Sequence, residues 1–288
     1  MLATVPPVGH DRRMADAEVL RGGVGNAGLV VRIGDRVSRP AGPHTDTIHA
    51  LLRHVRAVGF DGVPEPIGTD ARGREWLTFV PGDVPVPPYP AWARSDDALR
   101  SVAALLRRFH DATVGFDGGP EASWDLELAG PGGGDVVGHH DVCLENVVFR
   151  DGTAHAFVDF DFAAPGSRSW DLACLARMCV PLDAPEFAAR SGWVDGDPFR
   201  RLGLVADAYG LPPDRSLLIE SLRTQTANGG GFVRRRVDAG DAAFTAMWVA
   251  TGGAERYDRR RDWFEEHRQR FIDSVHTGPT AGAGWDSR

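Results

Sequence analysis

Two short stretches of the sequence carry oxygen-bearing side chains at a spacing that suits phosphate and metal chemistry. Residues 138–146 contain Asp141 and Asn146, and an Asp-Gly turn at residues 151–152 separates them from Asp159. The turn folds its flanking strands against each other, so we expect Asn146 and Asp159 at the same end of one hairpin, with Asp141 in the loop that enters it. Carboxylate and amide oxygens are the ligands that Mg²⁺ prefers. A further carboxylate beside them can orient a hydroxyl group and accept its proton.

The same residues match a pattern known from phosphoryl transfer. His139, Asp141 and Asn146 follow H-x-D-x-x-x-x-N, and an Asp-Phe pair follows at 159–160. This is the arrangement of a kinase catalytic loop and metal loop. A hydrolytic metal site is the alternative, because imidazole and carboxylate groups also bind zinc or iron. Its ligands would be His139, His140, Asp141, Asp159 and Asp161, but the sequence has no second histidine pair at ligand spacing.

These motifs resemble those of the aminoglycoside phosphotransferase family, also called the phosphotransferase enzyme family, which has the protein-kinase-like fold. Residues 158–173 are similar to the metal loop of that family and the helix after it. The resemblance extends over roughly residues 18–275, although its specific motifs occupy only residues 139–173. Within the family, the chain resembles a small bacterial branch described as trifolitoxin-immunity-like.

The resemblance implies a role for each matched residue. Asp141 is implied as the catalytic base for the acceptor hydroxyl, and His139 as a support for the catalytic loop. Asn146 and Asp159 are implied as Mg²⁺ ligands beneath the phosphates of ATP or GTP.

Two further carboxylates follow the catalytic motif. Asp161 is implied as an additional metal ligand or as a neighbour of the ligands. Asp171, which opens the next helix, is implied as the aspartate that hydrogen-bonds the backbone of the catalytic loop.

The N-terminal part of the chain agrees with the family in the layout of its elements but lacks the family's lysine. Gly22, Gly23 and Gly25 join two predicted strands where the family has a loop over the nucleotide phosphates, although a simple hairpin turn would explain them equally. The family's phosphate-gripping lysine is missing, because all 32 basic residues of this chain are arginine. Arg39 on the third strand is predicted to take its place, since a guanidinium group can bind phosphate through two hydrogen bonds.

The helix after this strand lacks the acidic partner that the family pairs with its lysine. Residues 45–58 contain no glutamate, and Asp46 is their only acidic residue. His49 lies on the same helix and is predicted to be a surface histidine. The sequence therefore predicts that both halves of the family's ion pair are missing.

The composition excludes several other function classes. A chain without lysine cannot be a Schiff-base enzyme, a pyridoxal-phosphate enzyme or a standard P-loop protein. Its net charge of −8 argues against nucleic acid as the main partner. No apolar run reaches the length of about 18 residues that a membrane helix needs. The three cysteines are too few for a disulfide framework and predict a reducing, cytoplasmic location.

The predicted elements divide into a strand-rich part and a helix-rich part, which indicates an α+β protein with two lobes. Residues 1–80 are predicted to form a nucleotide-binding lobe with a loose tail at 1–15. Five prolines in residues 81–90 indicate a hinge, and residues 91–288 are predicted to form the catalytic and acceptor-binding lobe. Alternation predicts strands at residues 76–80, 147–150 and 154–160. Helical periodicity predicts the later helices, at residues 170–178, 199–209, 217–226, 242–251 and 259–275.

The sequence thus predicts an ATP- or GTP-dependent O-phosphotransferase for a hydroxyl group of a small molecule such as an antibiotic, a sugar or another metabolite. The alternative is a kinase-like immunity or regulatory protein that binds a nucleotide or another ligand with little or no turnover. A cationic acceptor would need carboxylates on the second lobe. The candidates are Glu145, Asp183, Glu186, Asp195 and Asp197.

Overall fold

The N-terminal part of the chain forms a five-stranded antiparallel sheet. The computed structural model describes residues 17–20, 24, 28–193 and 196–276. The strands are β1 (Glu18–Val19), β2 (Val31–Ile33), β3 (Arg36–Pro40), β4 (Pro66–Thr69) and β5 (Arg74–Thr78). Their order across the sheet is β1-β2-β3-β5-β4. The register between β3 and β5 places Arg39 directly opposite Glu75.

Helix α1 (Thr45–Ala57) follows β3 and packs against β4. Its apolar side chains recur at the helical spacing i, i+3, i+4 and i+7. All four are buried: Ile48, Leu51, Leu52 and Val55. His49 is buried as well, so its predicted surface position is wrong. A buried imidazole needs a hydrogen-bond partner, and the sheet supplies one in Glu75.

The second part of the chain is mainly helical. Its helices are α2 (Asp96–Thr113), α3 (Arg168–Cys179), α4 (Pro185–Ala188), α5 (Pro198–Tyr209), α6 (Ser216–Asp238), α7 (Ala242–Thr251) and α8 (Gly253–His276). Two antiparallel strand pairs lie among them. These are β6 (Val136–Gly138) with β9 (Ala164–Gly166), and β7 (Val147–Arg150) with β8 (Thr153–Phe157). A strand-rich part followed by a helical part confirms the predicted α+β class.

Helix α2 connects the helical core to the hairpin formed by β7 and β8. The Ser95 side chain caps the helix by accepting a hydrogen bond from the Ala98 backbone N–H at 3.1 Å. Near the other end, the buried Phe109 ring contacts the rings of Phe157 and Phe160, with centroids 6.2 and 5.6 Å away. The hairpin therefore rests on a packed core on its inner side.

The segment between the two parts also lies against this hairpin. The backbones of Asp83 and Phe149 exchange two hydrogen bonds of 2.8 Å. Gly82 is required beside them, because a Cβ atom there would lie 2.4 Å from the Phe149 carbonyl oxygen. The proline-rich residues 81–90 are thus attached to the hairpin at their start.

The element boundaries differ most from the predicted ones at three places. Strand β8 ends at Phe157 rather than residue 160, because the backbone turns into the left-handed region at Asp159. Helix α6 continues well past residue 226, through the glycines at 229–231. Gly230 is tolerated because its missing side chain makes room for the Tyr257 ring, whose Cγ would lie 2.9 Å from a Cβ atom. Helix α8 starts at Gly253 rather than residue 259.

None of the helices in the described part of the chain is both long enough and apolar enough to cross a membrane.

Candidate active site

The β7–β8 hairpin brings Asp141, Asn146 and Asp159 to one end. The Val158 backbone N–H donates to the Asn146 carbonyl oxygen at 3.0 Å, which continues the hairpin by one pair and sets Asp159 beside Asn146. The Asn146 side-chain nitrogen donates to the carbonyl oxygen and to a carboxylate oxygen of Asp141, both at 2.9 Å. With its nitrogen engaged, Asn146 can offer its amide oxygen to a cation.

Asp159 has a left-handed backbone, with φ of 64°. This conformation costs a non-glycine residue about 1–3 kcal/mol and is concentrated at functional sites. Burial raises the pKa of its carboxyl group. The Arg39 charge opposes that shift, while the carboxylates of Asp161 and Asp141 add to it. The carboxylates of Asp141, Asp159 and Asp161 therefore carry more negative charge than the single positive charge of Arg39 balances.

The oxygen-bearing side chains at this end of the hairpin fit a Mg²⁺ ion. The oxygen ligands available are the Asn146 amide and the carboxylates of Asp159 and Asp161. In the described residues no group of three or more His, Cys, Asp or Glu side chains is arranged as a ready metal site. Mg²⁺ is usually held by one or two carboxylates together with substrate phosphates, so the donor nucleotide would supply the remaining ligands.

His139 and His140 hold backbone rather than face a metal. The buried His139 ring bonds the Val158 carbonyl oxygen through Nε2 at 3.0 Å and accepts the Asp141 backbone N–H at Nδ1. His140 Nε2 lies 3.1 Å from the Ala164 carbonyl oxygen, and burial lowers the pKa of this imidazole. Both rings are therefore committed to shaping the loop, which counts against the hydrolytic metal site.

The Asp171 side chain holds the backbone of the loop at residues 138–146 in place. Its fully buried carboxylate accepts the backbone N–H groups of His139 and His140 at 2.7 and 2.8 Å. His110 Nε2 on α2 lies 2.9 Å from the same carboxylate. Burial alone would raise the pKa of Asp171, but the His110 hydrogen bond and the nearby imidazoles outweigh it and lower the pKa. The contact with the loop backbone is the one that the sequence resemblance implies.

Arg39 reaches from β3 to three carboxylates. Its Nε donates to Glu75 at 2.5 Å, its Nη1 to Asp159 at 2.6 Å and its Nη2 to Asp161 at 2.5 Å. The expected loss of the family's ion pair is therefore wrong in one half. An acidic partner is present, but it comes from strand β5 rather than from the helix.

The sequence prediction omits Glu75 because it expects the acidic partner of Arg39 on helix α1 rather than on strand β5. Its second carboxylate oxygen lies 2.8 Å from His49 Nε2 on α1, where the family would place its glutamate. Burial would raise the pKa of Glu75, but the His49 hydrogen bond and the Arg39 charge lower it overall. The one local signal in the sequence is a charged residue directly before Trp76 and Leu77, while its position opposite Arg39 follows only from the folded sheet.

The remaining predicted nucleotide contacts, Gly22, Gly23 and Gly25, lie outside the described residues.

Two candidate acceptor-binding carboxylates are neutralised by arginine. Asp183 is buried and accepts hydrogen bonds from Arg256 at 2.9 Å and Arg260 at 2.5 Å. Glu186 lies 3.5 Å from Arg259. These ion pairs do not support a role for Asp183 or Glu186 in binding a cationic acceptor.

The other candidate acids also have partners, apart from Asp195, which lies outside the described residues. Glu145 accepts a hydrogen bond from the Tyr89 hydroxyl at 2.8 Å, and burial raises the pKa of its carboxyl group. Asp197 caps helix α5 by accepting the Phe199 backbone N–H at 2.9 Å. The hypothesis of an acid-lined acceptor site gains no support from these contacts.

Comparison with known proteins agrees with this geometry. The profile of the Phosphotransferase enzyme family matches residues 120–202, the segment that contains the β7–β8 hairpin and Asp171. The trifolitoxin immunity protein of Rhizobium leguminosarum bv. trifolii is 36% identical over 195 residues, which are 65% of this chain and 72% of that protein.

Solved structures share the fold at low sequence identity. A choline/ethanolamine kinase family protein from Mesorhizobium loti superposes with a TM-score of 0.60 at 16% identity, covering 92% of this chain and 94% of the other. The GDP complex of aminoglycoside 2'-phosphotransferase-IIIa gives a TM-score of 0.52 at 14% identity, covering 90% and 92%. These similarities confirm the two-lobed, kinase-like fold. On its similarity to the immunity protein and the family match at residues 120–202, the chain belongs to the phosphotransferase enzyme family.

Proposed function

We propose that this protein transfers the γ-phosphoryl group of ATP or GTP to a hydroxyl group of a small molecule. The observation that carries the proposal is the convergence of Asp141, Asn146 and Asp159 at one end of the hairpin, with the Arg39 guanidinium 2.6 Å from Asp159. A base, oxygen ligands for a metal and a cation for phosphate then occupy one place. Phosphoryl transfer needs this kind of positioning and charge compensation more than covalent chemistry.

Each residue would contribute one task. Asp141 would orient the acceptor hydroxyl and accept its proton. Asn146 and Asp159, with Asp161 beside them, would hold Mg²⁺, which supplies charge compensation for the phosphate oxygens when bound. Arg39 would donate hydrogen bonds to the donor phosphates. Asp171 would keep the loop that carries Asp141 in place.

The first lobe would bind the nucleotide and the second would bind the acceptor and carry the catalytic residues, as the sequence predicts. We place the nucleotide between the sheet of residues 1–80 and the hairpin, with residues 81–90 as the hinge. Arg39 of the sheet and Asp159 of the hairpin already meet across this boundary. One relative by fold was solved with GDP, which is compatible with either ATP or GTP as the donor.

The acceptor side favours a molecule without several positive charges. The candidate acids in the described part of the chain are paired with arginine, with a tyrosine hydroxyl or with backbone, as described above. Aromatic rings instead begin one residue after Asp161: Phe162 contacts Phe232 with centroids 5.4 Å apart, and Phe232 contacts Phe244 at 5.6 Å. Rings of this kind would contact an apolar or aromatic part of the acceptor.

A ligand-binding protein with little turnover is the second candidate. It is favoured by one observation, that the similar protein from Rhizobium is named for immunity rather than for an enzymatic activity. The complete set of Asp141, Asn146 and Asp159 supports the transferase instead.

Nucleotide binding is expected to require the metal. With Mg²⁺ present, ATP or GTP at a hundredfold excess over its dissociation constant should stabilise the protein by about 2.7 kcal/mol. Without Mg²⁺, the stabilisation should be much smaller, because the phosphates would face the carboxylates of Asp159 and Asp161. Thermal unfolding with each nucleotide, with and without the metal, measures this. Equal stabilisation in the presence of chelator would contradict the proposed metal site.

Transfer itself is tested by incubating the protein with Mg²⁺-nucleotide and a library of alcohols, and by searching for the mass of one added phosphoryl group. The library should contain neutral, anionic and polycationic members. Metal-dependent stabilisation with no phosphorylated product in any class would favour the binding protein over the transferase.

A further inference from the structure

We propose that Glu75 and His49 are positioning residues for Arg39. They hold the guanidinium by its Nε edge while its two terminal nitrogens exchange Asp159 and Asp161 for phosphate oxygens of the donor nucleotide. The proposal rests on the proposed function, because it assumes that Arg39 contacts a phosphate.

The Nε edge of Arg39 is held inside the N-terminal part of the chain. Glu75 has only 2% of its surface exposed, and its two carboxylate oxygens are divided between Arg39 Nε at 2.5 Å and His49 Nε2 at 2.8 Å. Arg39 and Glu75 are direct cross-strand partners, so the pair is set by the register of β3 and β5. None of these three residues belongs to the catalytic hairpin, and the anchor can persist when the hairpin binds a ligand.

The other end of Arg39 is held in a more open place. The side chains of Asp159 and Asp161 are 26% and 45% exposed, against 10% for Arg39 and 2% for Glu75. Nη1 and Nη2 each donate to one of these carboxylates. Two neighbouring N–H donors of a guanidinium match two oxygens of one phosphate group. The two N–H groups that donate to the aspartates would then donate to phosphate oxygens instead.

Charge gives the exchange a driving force. Three carboxylates, those of Glu75, Asp159 and Asp161, surround the single positive charge of Arg39, which leaves two formal negative charges. A divalent cation at the aspartates would cancel these charges and repel the guanidinium. Donor phosphates, which the aspartates would otherwise repel, would then attract Arg39. Glu75 keeps the released guanidinium within reach.

Replacing Arg39 should change metal and nucleotide binding in opposite directions. In Arg39→Gln we expect Mn²⁺ alone, followed by electron paramagnetic resonance, to bind about threefold or more tightly, because a competing cation is gone. The Mn²⁺ complex of a non-hydrolysable ATP analogue, followed by calorimetry, should bind about tenfold more weakly, because charge-assisted hydrogen bonds to phosphate are lost. Weaker binding of both would overturn the exchange.

Replacing Glu75 tests the anchor without removing the guanidinium. Glu75→Gln keeps the shape of the side chain, and we expect about tenfold weaker binding of the Mn²⁺-nucleotide, with the KM of any acceptor unchanged. His49→Gln, which preserves a hydrogen-bond donor to Glu75, should stay closer to wild type than His49→Ala. Glu65→Gln is the matched control, since Glu65 lies just before the neighbouring edge strand β4 and its side chain is 60% exposed.

Unchanged nucleotide affinity in Glu75→Gln, or equal affinities in the two His49 variants, would overturn the positioning role. These measurements use binding alone. A wild-type protein that binds Mn²⁺-nucleotide and shows the expected variant effects, but phosphorylates no alcohol, would refute the transferase and leave the positioning role standing.

Discussion

Asp141→Asn is expected to fold normally and to lose phosphate transfer by at least ~100-fold, the usual scale for removing a general base. The side chain is only partly buried, and asparagine has the same shape, so the loop should keep its conformation. The amide can still accept the 2.9 Å hydrogen bond that the Asn146 nitrogen donates, but it cannot take a proton from the acceptor. The loss should therefore appear in kcat rather than in nucleotide affinity.

The measurement compares kcat and the nucleotide dissociation constant of the variant with those of wild type. Asp135→Asn is a suitable control, because Asp135 shortly precedes the same loop and its side chain is 73% exposed. We expect wild-type kinetics there. An Asp141→Asn protein with wild-type kcat would rule out the base and with it the central assignment of the site.

Asp171→Ala is expected to cause the largest loss of stability. The free energy of unfolding should fall by about 3–5 kcal/mol, because the buried partners of a charged group are left unpaired. Two backbone N–H groups of the catalytic loop and the His110 imidazole would lose their common acceptor. Urea unfolding at neutral pH measures the change. Asp111→Ala is the control, since its arginine partners are more exposed and such surface pairs contribute at most about 1 kcal/mol. Equal losses in the two variants would contradict the role of Asp171.

The same carboxylate predicts a pH dependence. Because the folded protein lowers the pKa of Asp171, its ionised form stabilises the fold above the unfolded-state pKa of about 3.9. That contribution is lost as the pH falls below this value toward the folded pKa. The difference in unfolding free energy between wild type and Asp171→Asn should therefore shrink when urea titrations are moved from pH 7 to pH 3.5. A difference that grows on acidification would show that the carboxylate is not ionised in the folded protein.

The β7–β8 hairpin could be predicted from the sequence because its contacts are local. A turn at residues 151–152 and the spacing of Asp141, Asn146 and Asp159 are enough to bring these oxygens together. Arg39 is predicted as the phosphate ligand because a chain without lysine leaves an arginine as the basic residue of that strand.

Glu75, the acidic partner of Arg39, could not be predicted from local sequence spacing. Glu75 meets Arg39 through strand pairing across 36 residues, and His49 reaches Glu75 from a helix. Such contacts depend on the assembled sheet rather than on local spacing. The extent of α6 was missed for a similar reason, since Gly230 is explained only once the Tyr257 ring is packed against it.

The guanidinium at position 39 also determines how this protein responds to chemical labelling. Reagents that deliver an acyl group from a nucleotide to a nearby amine depend on a nucleophilic lysine beside the phosphates. An arginine stays protonated and does not act as an amine nucleophile, and this chain contains no lysine at any position. A survey of nucleotide-binding proteins based on amine acylation would therefore overlook this protein even if it bound ATP tightly. An Arg39→Lys variant would be the form in which such a reagent could report on the site.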